Sequence, residues 1–345
     1  MHQAWQTLLW QKPTAALPLN TADNTIFNLQ AEALLHIHGP DARDFLQSQF
    51  SNDIHNISVA QGQLSGYCNP KGRLIALLRI YPDLLQNSKD QADNENQPAG
   101  YFIVLPHSLA EIVEKRLCLY RMRAHVQITS TSDIVHFGVM GTDISGWLEK
   151  NQLLPDKALY SCRTNLSLQV VRVGPDQYDL VTSTGQAIKV WQELVSDSQT
   201  GDIQQWQYSE IMTGHPAVYK DTSELFIPQM LNLDLLDAIS FSKGCYPGQE
   251  IIARMRYLGR NRQRMLRYSC DTDIALTPGM PLYGNDENRK IGAIVDAVAD
   301  TAGSYQLLAT VKLDDLEQPL HAGSAQGPLL SQQTLSSEIP ELQPQ

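Results

Sequence analysis

Within eight consecutive residues, Lys243-Gly244-Cys245-Tyr246-Pro247-Gly248-Gln249-Glu250, the chain carries an ammonium, a thiol, a phenol, an amide and a carboxylate. Two glycines in that run supply backbone freedom for a sharp turn, and Pro247 suits the first turn of a helix. Gln249 and Glu250 fall where unpaired helix amides favour acceptors and negative charge. Beyond them Ile251, Ile252, Met255 and Leu258 form an apolar stripe at i, i+1, i+4 and i+7, and Gly259 is a natural stop. The spacing predicts a strand end, a tight loop and a helix start, with Cys245 at or just before the helix N-terminus and Lys243 two residues away. That setting lowers a thiol pKa from its reference of roughly 8.5 and makes the sulfur a nucleophile or a metal ligand. The alternative is a buried structural cysteine, since free cysteine is among the most buried residue types. The residues by themselves leave both open.

Charge adds a second signal. Six arginines (Arg254, Arg256, Arg260, Arg262, Arg264, Arg267) and no acidic residue lie between Ile251 and Cys270, in a chain whose formal charge is −11. Guanidinium forks match carboxylates and phosphates, so the run marks a candidate anion site beside the thiol. A solvated helix face paired with the acidic remainder is the alternative.

Composition narrows the classes. A net charge of −11 argues against a general nucleic-acid binder unless a local basic patch overrides the field. The five cysteines (Cys68, Cys118, Cys162, Cys245, Cys270) include no C-x-x-C pair, and the nine histidines form no ligand cluster, so no metal site is read. His36 and His38 share one strand face, read as exposed and polar. The N-terminus lacks the pattern of a signal peptide and no segment reaches spanning length, which predicts a cytoplasmic protein with no membrane contact.

Elements that must position the motif follow from periodicity. Strands are expected at Ala33–His38, Leu64–Cys68 and Arg73–Tyr81, the last two joined by the turn Asn69-Pro70-Lys71-Gly72. The polar stretch Gln86 to Gly100 reads as a surface loop. Tyr101–Leu105 then leads into a helix over Ser108–Leu119, and Tyr178–Thr182 into a helix over Ala187–Val195. Tyr101, Val104, Ala110, Val113 and Leu117 recur in register as Tyr178, Val181, Ala187, Val190 and Leu194, the pattern of two similar α+β halves. Ile203–Thr213 is a helix ending at Gly214. Arg267 to about Leu330 has strand-like runs and no helical period, which predicts a small β-barrel before a polar tail.

The run Lys243-Gly244-Cys245-Tyr246-x-Gly248-Gln249-Glu250, preceded by Phe226-Ile227-Pro228-Gln229 and Asn232-Leu233, resembles the signature of the folate-binding, tRNA-modifying YgfZ family, which is related to the glycine-cleavage aminomethyltransferases and to mitochondrial iron–sulfur assembly factors. The likeness is dense from about Trp206 to Arg264 and a matter of layout elsewhere. It implies an α+β fold in two ferredoxin-like halves over residues 1–265 (the second about 101–200), a C-terminal β-barrel over 266–330 and a disordered tail over 331–345, with the three domains around a central opening. It further implies tetrahydrofolate or a derivative as cofactor, Cys245 and Lys243 as the reactive pair, and Trp206, Tyr246, Gln249, Glu250, Arg254 and Arg262 as cofactor-binding residues.

Three departures bear on activity. Glu32 stands where relatives would carry a second tryptophan, and Met212 where they carry a carboxylate able to pair with the pterin edge. The loop after Tyr101–Leu105 reads Pro106-His107-Ser108-Leu109-Ala110, without the aspartate that assists methylamine transfer, and Glu111 is the nearest acid. The expectation is a monomeric folate-binding accessory protein for iron–sulfur cluster assembly or repair. It would affect tRNA modification through cluster-dependent enzymes, including tRNA-methylthiolating ones, without binding tRNA itself. A folate-dependent aminomethyltransferase-like enzyme is the alternative.

Overall fold

The computed structural model describes residues 23–85, 96–130, 133–165, 167–257, 262–286, 289–301 and 303–335, together with Trp5, Thr7, Leu8 and Leu17. Strands and helices run in the order β1 (Thr25–Phe27), β2 (Glu32–His38), α1 (Ala42–Gln47), β3 (Gln63–Cys68), β4 (Leu74–Pro82), β5 (Gly100–Pro106), α2 (His107–Tyr120), β6 (Gln127–Ser130), β7 (Ile134–Met140) and α3 (Thr142–Lys150). There follow β8 (Cys162–Thr164), β9 (Leu168–Gly174), β10 (Gln177–Ser183), α4 (Thr184–Leu194), β11 (Gln199–Gly201), α5 (Ile203–Thr213), α6 (Gln249–Tyr257), β12 (Gln263–Asp271), β13 (Pro281–Tyr283), β14 (Lys290–Thr301), β15 (Ser304–Lys312), β16 (Leu320–Ala322) and β17 (Leu329–Gln333). The fold is mixed α+β with a C-terminal barrel, as the sequence implies. No helix among the described residues is long and apolar enough to cross a membrane.

By compactness the chain divides into two units, residues 1–65 with 78–206 and residues 66–77 with 207–345. The segment after residue 206, expected to go with the α+β halves up to 265, belongs to the same unit as the barrel.

Two sheets carry the first unit, one in the order β11-β1-β7-β10-β9-β8 and the other β3-β4-β5-β2-β6, of which residues 66–68 of β3 and 74–77 of β4 are assigned to the second unit. The pairs β1–β7, β7–β10, β10–β9, β9–β8, β2–β5, β2–β6 and β4–β5 are antiparallel, and β1 pairs with β11 in parallel. Each sheet carries one copy of the strand-to-helix repeat. α2 follows β5 without a linker and buries Ala110, Val113 and Leu117, while α4 follows β10 and buries Ala187, Val190 and Leu194. Ser183 caps α4 by accepting the Gln186 amide. The registered positions of both copies are therefore core positions, which is why the repeat is visible in sequence. A core of Trp5, Phe137 and Trp191 with Val170, Leu180 and Val190 packs α4 onto its sheet.

Charge also enters this unit. Asp179 is fully buried and accepts hydrogen bonds from the Tyr81 hydroxyl (3.0 Å) and His136 Nδ1 (3.1 Å), which ties β4 to β7 and β10. Glu32 pairs with Arg79. His36, expected on an exposed face, is buried, 2.9 Å from Asp83 and stacked on His38. Alternation along a strand set the shared face correctly but not its side, and Asp83 supplies what makes burial tolerable.

In the second unit β12-β15-β14-β13-β16-β17 close into a barrel. Along β12 Leu266, Tyr268 and Cys270 face the interior, joined by Ile294, Leu307, Ala309, Val311 and Leu330. The β-period of two accounts for this directly. β17 runs to Gln333, so the predicted tail begins inside the barrel; residues 336–345 lie outside those described, as do 86–95 of the polar loop.

Candidate functional site

The motif loop rests on the turn between β3 and β4. The Asn69 side chain accepts the amides of Lys71 (2.9 Å) and Arg73 (3.1 Å), and Gly72, at φ +71°, closes the turn onto Asn69 O. Gly248 lies against it at φ +82°, where a Cβ would come within 2.5 Å of Asn69 O and 2.7 Å of Gly72 Cα. Glycine is required there by both conformation and contact.

The preceding segment is fastened to the same strand. Leu74 donates its amide to Phe226 O at 2.8 Å, Ser223 Oγ bonds Ile75 O at 2.8 Å, and Arg73 reaches Leu225 O at 2.7 Å. A 3-10 turn over Pro228–Leu231 follows, and Asn232 leaves it in a left-handed conformation at φ +58°. Gln229 then donates to Ile252 O (2.8 Å), holding α6, and Asn232 exchanges bonds with Met265 in β12 (2.8 and 3.3 Å). Arg264 is buried, forks onto both oxygens of Asp234 (2.7 and 3.0 Å) and donates to Gln229 O. The residues flanking the cysteine in the signature are thus a clamp around α6 and β12.

On this frame Cys245 is exposed. The other four cysteines are free as well; Cys68, Cys162 and Cys270 are buried, and burial pushes Cys68 and Cys162 up to about 12. Cys118 is the second exposed thiol. Lys243 and Tyr246, on either side of Cys245, are buried, with Lys243 Nζ 5.2 Å from the Tyr246 ring centroid. Burial first, and Cys68 after it, push the Tyr246 phenol well above its ordinary value. Gln249 reaches back from α6 toward Lys243 O at 3.4 Å.

The helix begins later than expected. α6 starts at Gln249, so Tyr246, Pro247 and Gly248 separate Cys245 from it, and Pro247 lies in the turn before the helix. The positive φ of Gly248 breaks the helical path at the point where the sequence pattern placed its start. Glu250 and Arg254 are exposed one turn apart on α6. Leu258, Gly259 and Arg260 lie outside the described residues.

The expected guanidinium cluster disperses. Arg256 stacks on Phe241 at 4.0 Å, Arg264 is neutralised by Asp234, and Arg267 donates to Met212 Sδ (2.8 Å) and Thr334 O (3.1 Å). A strand sends alternate side chains to opposite faces, so Arg264 and Arg267, three residues apart, part company along β12. Arg262 lines a cleft with Met230, Met255, Gln263, Arg289, Lys312 and Asp314, a lining that includes none of Lys243, Cys245, Tyr246, Gln249, Glu250 or Arg254.

Trp206, expected at the cofactor, is 0% exposed. Its ring meets Phe27 edge-on at 5.2 Å, and a Cβ on Gly138 would stand 2.3 Å from it. It fills the first unit's core and offers no free face for stacking. Glu111 is exposed and paired with Lys115, one turn along α2. Among the described residues no three His, Cys, Asp or Glu side chains are grouped to hold a metal ion.

Sequence reasoning missed the Tyr81–Asp179–His136 link; an aspartate between Tyr178 and Leu180 in an apolar strand was the available signal. It also missed Asp296, buried in β14, which accepts from the Tyr219 hydroxyl (2.8 Å) and the Ala297 amide (2.9 Å).

No family model matches the chain. It is 30% identical over 282 residues to the tRNA-modifying protein YgfZ of Blochmanniella pennsylvanica, spanning 81% of this chain and 80% of that protein. To the tRNA-modifying protein YgfZ of Klebsiella pneumoniae it is 30% identical over 310 residues, 89% and 88% of the two chains. Among solved structures, the glycine cleavage system aminomethyltransferase T of Bartonella henselae superposes with a TM-score of 0.64 over 93% of this chain and 90% of that one. At 12% identity that likeness shows a shared fold.

Proposed function

The chain belongs to the YgfZ family of tRNA-modifying proteins, and on that premise we propose that it is a folate-binding accessory protein for iron–sulfur cluster assembly or repair. It acts on tRNA modification through cluster-dependent enzymes such as the methylthiolating ones. The observation that carries the reading is an exposed Cys245 on a loop whose other contacts are fixed: Gly248 seated on Asn69 and Gly72, Lys243 and Tyr246 buried on either side. A sulfur presented in this way serves a partner protein. Its thiolate can ligate an iron of the partner's cluster, or attack a partner disulfide and displace the second sulfur as thiolate. The free thiols suit a reducing cytoplasm, where the protein is proposed to act.

Tetrahydrofolate is the implied cofactor, a reduced pterin that carries one-carbon units when bound. The residues present fit it in part. Arg254 is an exposed guanidinium suited to a carboxylate tail, with Gln249 and Glu250 on the same helix. Trp206 and Met212 do not fit the roles the resemblance gives them, one being wholly buried and the other bonded to Arg267 through sulfur. Loss of a carboxylate acceptor at Met212 costs about 1–3 kcal/mol, roughly five- to 150-fold in affinity, so weak binding is expected. The absence of a carboxylate after β5 and the exposed, paired state of Glu111 speak against methylamine transfer.

Two measurements test this. Tetrahydrofolate titrated by calorimetry, with tryptophan fluorescence in parallel and Trp206→Phe as control, should give weak saturable binding; none at high micromolar ligand would overturn the cofactor half. Cys245→Ser should keep the melting temperature and lose support of cluster-enzyme activity in cells. Full activity with that variant would overturn the thiol half.

A further inference from the structure

The cleft that takes Arg262 from the motif has a lining with its own chemistry. Its volume is about 330 Å³, and it is walled by Met230, Met255 from α6, Arg262 and Gln263 at the start of β12, Arg289 just before β14, and Lys312 and Asp314 around the end of β15. Three cations from three places in the chain converge there with the carboxylate of Asp314, and one of them, Arg289, is also paired with the buried Asp315, which leaves a net positive lining in a protein whose net charge is −11.

Two of the cations are held in position. Arg289 donates to Asp315 at 2.8 Å, and Asp315 is buried and gripped from its other oxygen by Gln318 at 2.7 Å. That contact uses a fraction of the five N–H donors on a guanidinium, so Arg289 is oriented with donors to spare. Lys312 is steered by its bond to Lys290 O at 3.2 Å and keeps further protons. Gln263 is fixed by its bond to Thr310 at 2.9 Å. Arg262 is exposed. Positioned donors lose less conformational freedom on binding than free ones do.

We infer that this cleft is a binding site for a ribonucleoside monophosphate, either free or as the end of an RNA strand. A single carboxylate is satisfied by one guanidinium fork, whereas three cations on separate elements match the three outer oxygens of a phosphate. Asp314 would repel a second anion but accepts hydroxyl groups, which a ribose supplies beside its phosphate. The thioethers of Met230 and Met255 form a soft apolar wall of the kind that packs against a flat ring. The volume lies at the small end of ligand sites, which run from roughly 300 to 1,000 Å³, and admits one nucleotide. The lining shares no residue with the Cys245 loop, and it takes Arg262 from the residues that the resemblance gives to folate.

Calorimetric titration of the full chain with AMP tests the inference. AMP should bind saturably and adenosine should not, and dAMP should bind more weakly than AMP. Arg262→Gln and Lys312→Gln are surface changes expected to leave the melting temperature unaltered and to weaken AMP about tenfold each. Asp314→Asn should bring AMP and dAMP closer together. A 5′-phosphorylated RNA oligonucleotide that displaces AMP identifies the strand end as the source, and one that does not identifies the free nucleotide; either supports the site. Absence of AMP binding, equal binding of adenosine, indifference to both cation substitutions, or displacement of AMP by tetrahydrofolate would overturn it.

Discussion

Asp296 and His136 are buried acids of different types whose protons the folded state holds more tightly than the unfolded chain does. Burial pushes Asp296 up to about 6 despite the bonds from Tyr219 and Ala297. For His136 burial alone would lower the imidazole, but the Asp179 carboxylate and its hydrogen bond outweigh it, with Glu32 adding and Arg79 opposing, so the net direction is upward. In both cases the native state binds more protons, so stability falls as pH rises. For Asp296 the loss runs from the ordinary carboxylate value to about 6 and reaches at most about 3 kcal/mol. For His136 it begins near the ordinary imidazole value and continues upward through the folded one. Asp296→Asn should therefore stabilise the protein above pH 6 and have little effect near pH 4. His136→Gln should remove the slope above neutrality while costing about 3 kcal/mol or more at low pH, because Asp179 loses a buried partner. Urea denaturation from pH 4 to 9 reads both. A flat profile in the unsubstituted protein would contradict them.

At the scale of the element, the loop 244–248 and the turn 69–72 behave as one piece of structure held by close backbone contact. Gly248→Ala meets Asn69 O and an unfavourable φ together, and should destabilise by several kcal/mol. Gly244, four residues earlier, has no heavy atom within 4 Å of where its Cβ would be, so Gly244→Ala should change stability by less than about 0.5 kcal/mol. Chemical denaturation of the two variants checks the contrast; equal effects would mean the contact does not govern the loop. This is also where the sequence was legible only in part. Periodicity located β2 to β5, α2, α4 and the barrel because each buries one face or stripe. The loop and the turn were legible from residue types, whereas the residues left the exposure of Cys245 open and the structure supplies it. The partners of the arginines were not, since Asp234, Met212 and Asp315 approach from 30, 55 and 26 residues away respectively, beyond any local pattern. Trp206 was assigned by family position, while its burial depends on Gly138 leaving room for an indole.

The whole molecule is two compact units, and the second is discontinuous: residues 66–77 belong with 207–345. Leu74, Ile75 and Gly72 supply the strand edge and the seat on which Phe226, Ser223 and Gly248 close. A fragment comprising residues 207–345 alone lacks that seat. It should be unstable or molten, with weak near-ultraviolet circular dichroism and rapid amide exchange in α6, whereas a native-like fragment would mean that the inserted hairpin tip is dispensable.

Synthesis on the ribosome gives this discontinuity a time. Leu77 emerges long before Gly248, and at roughly 5–20 residues per second the interval is on the order of 10 to 30 s. Throughout it the hairpin tip presents Leu74, Ile75 and Leu77 with their eventual neighbours not yet made. A nascent chain of this kind calls for a holding chaperone at mid-length, and slow codons placed after the hairpin would lower the yield of soluble protein.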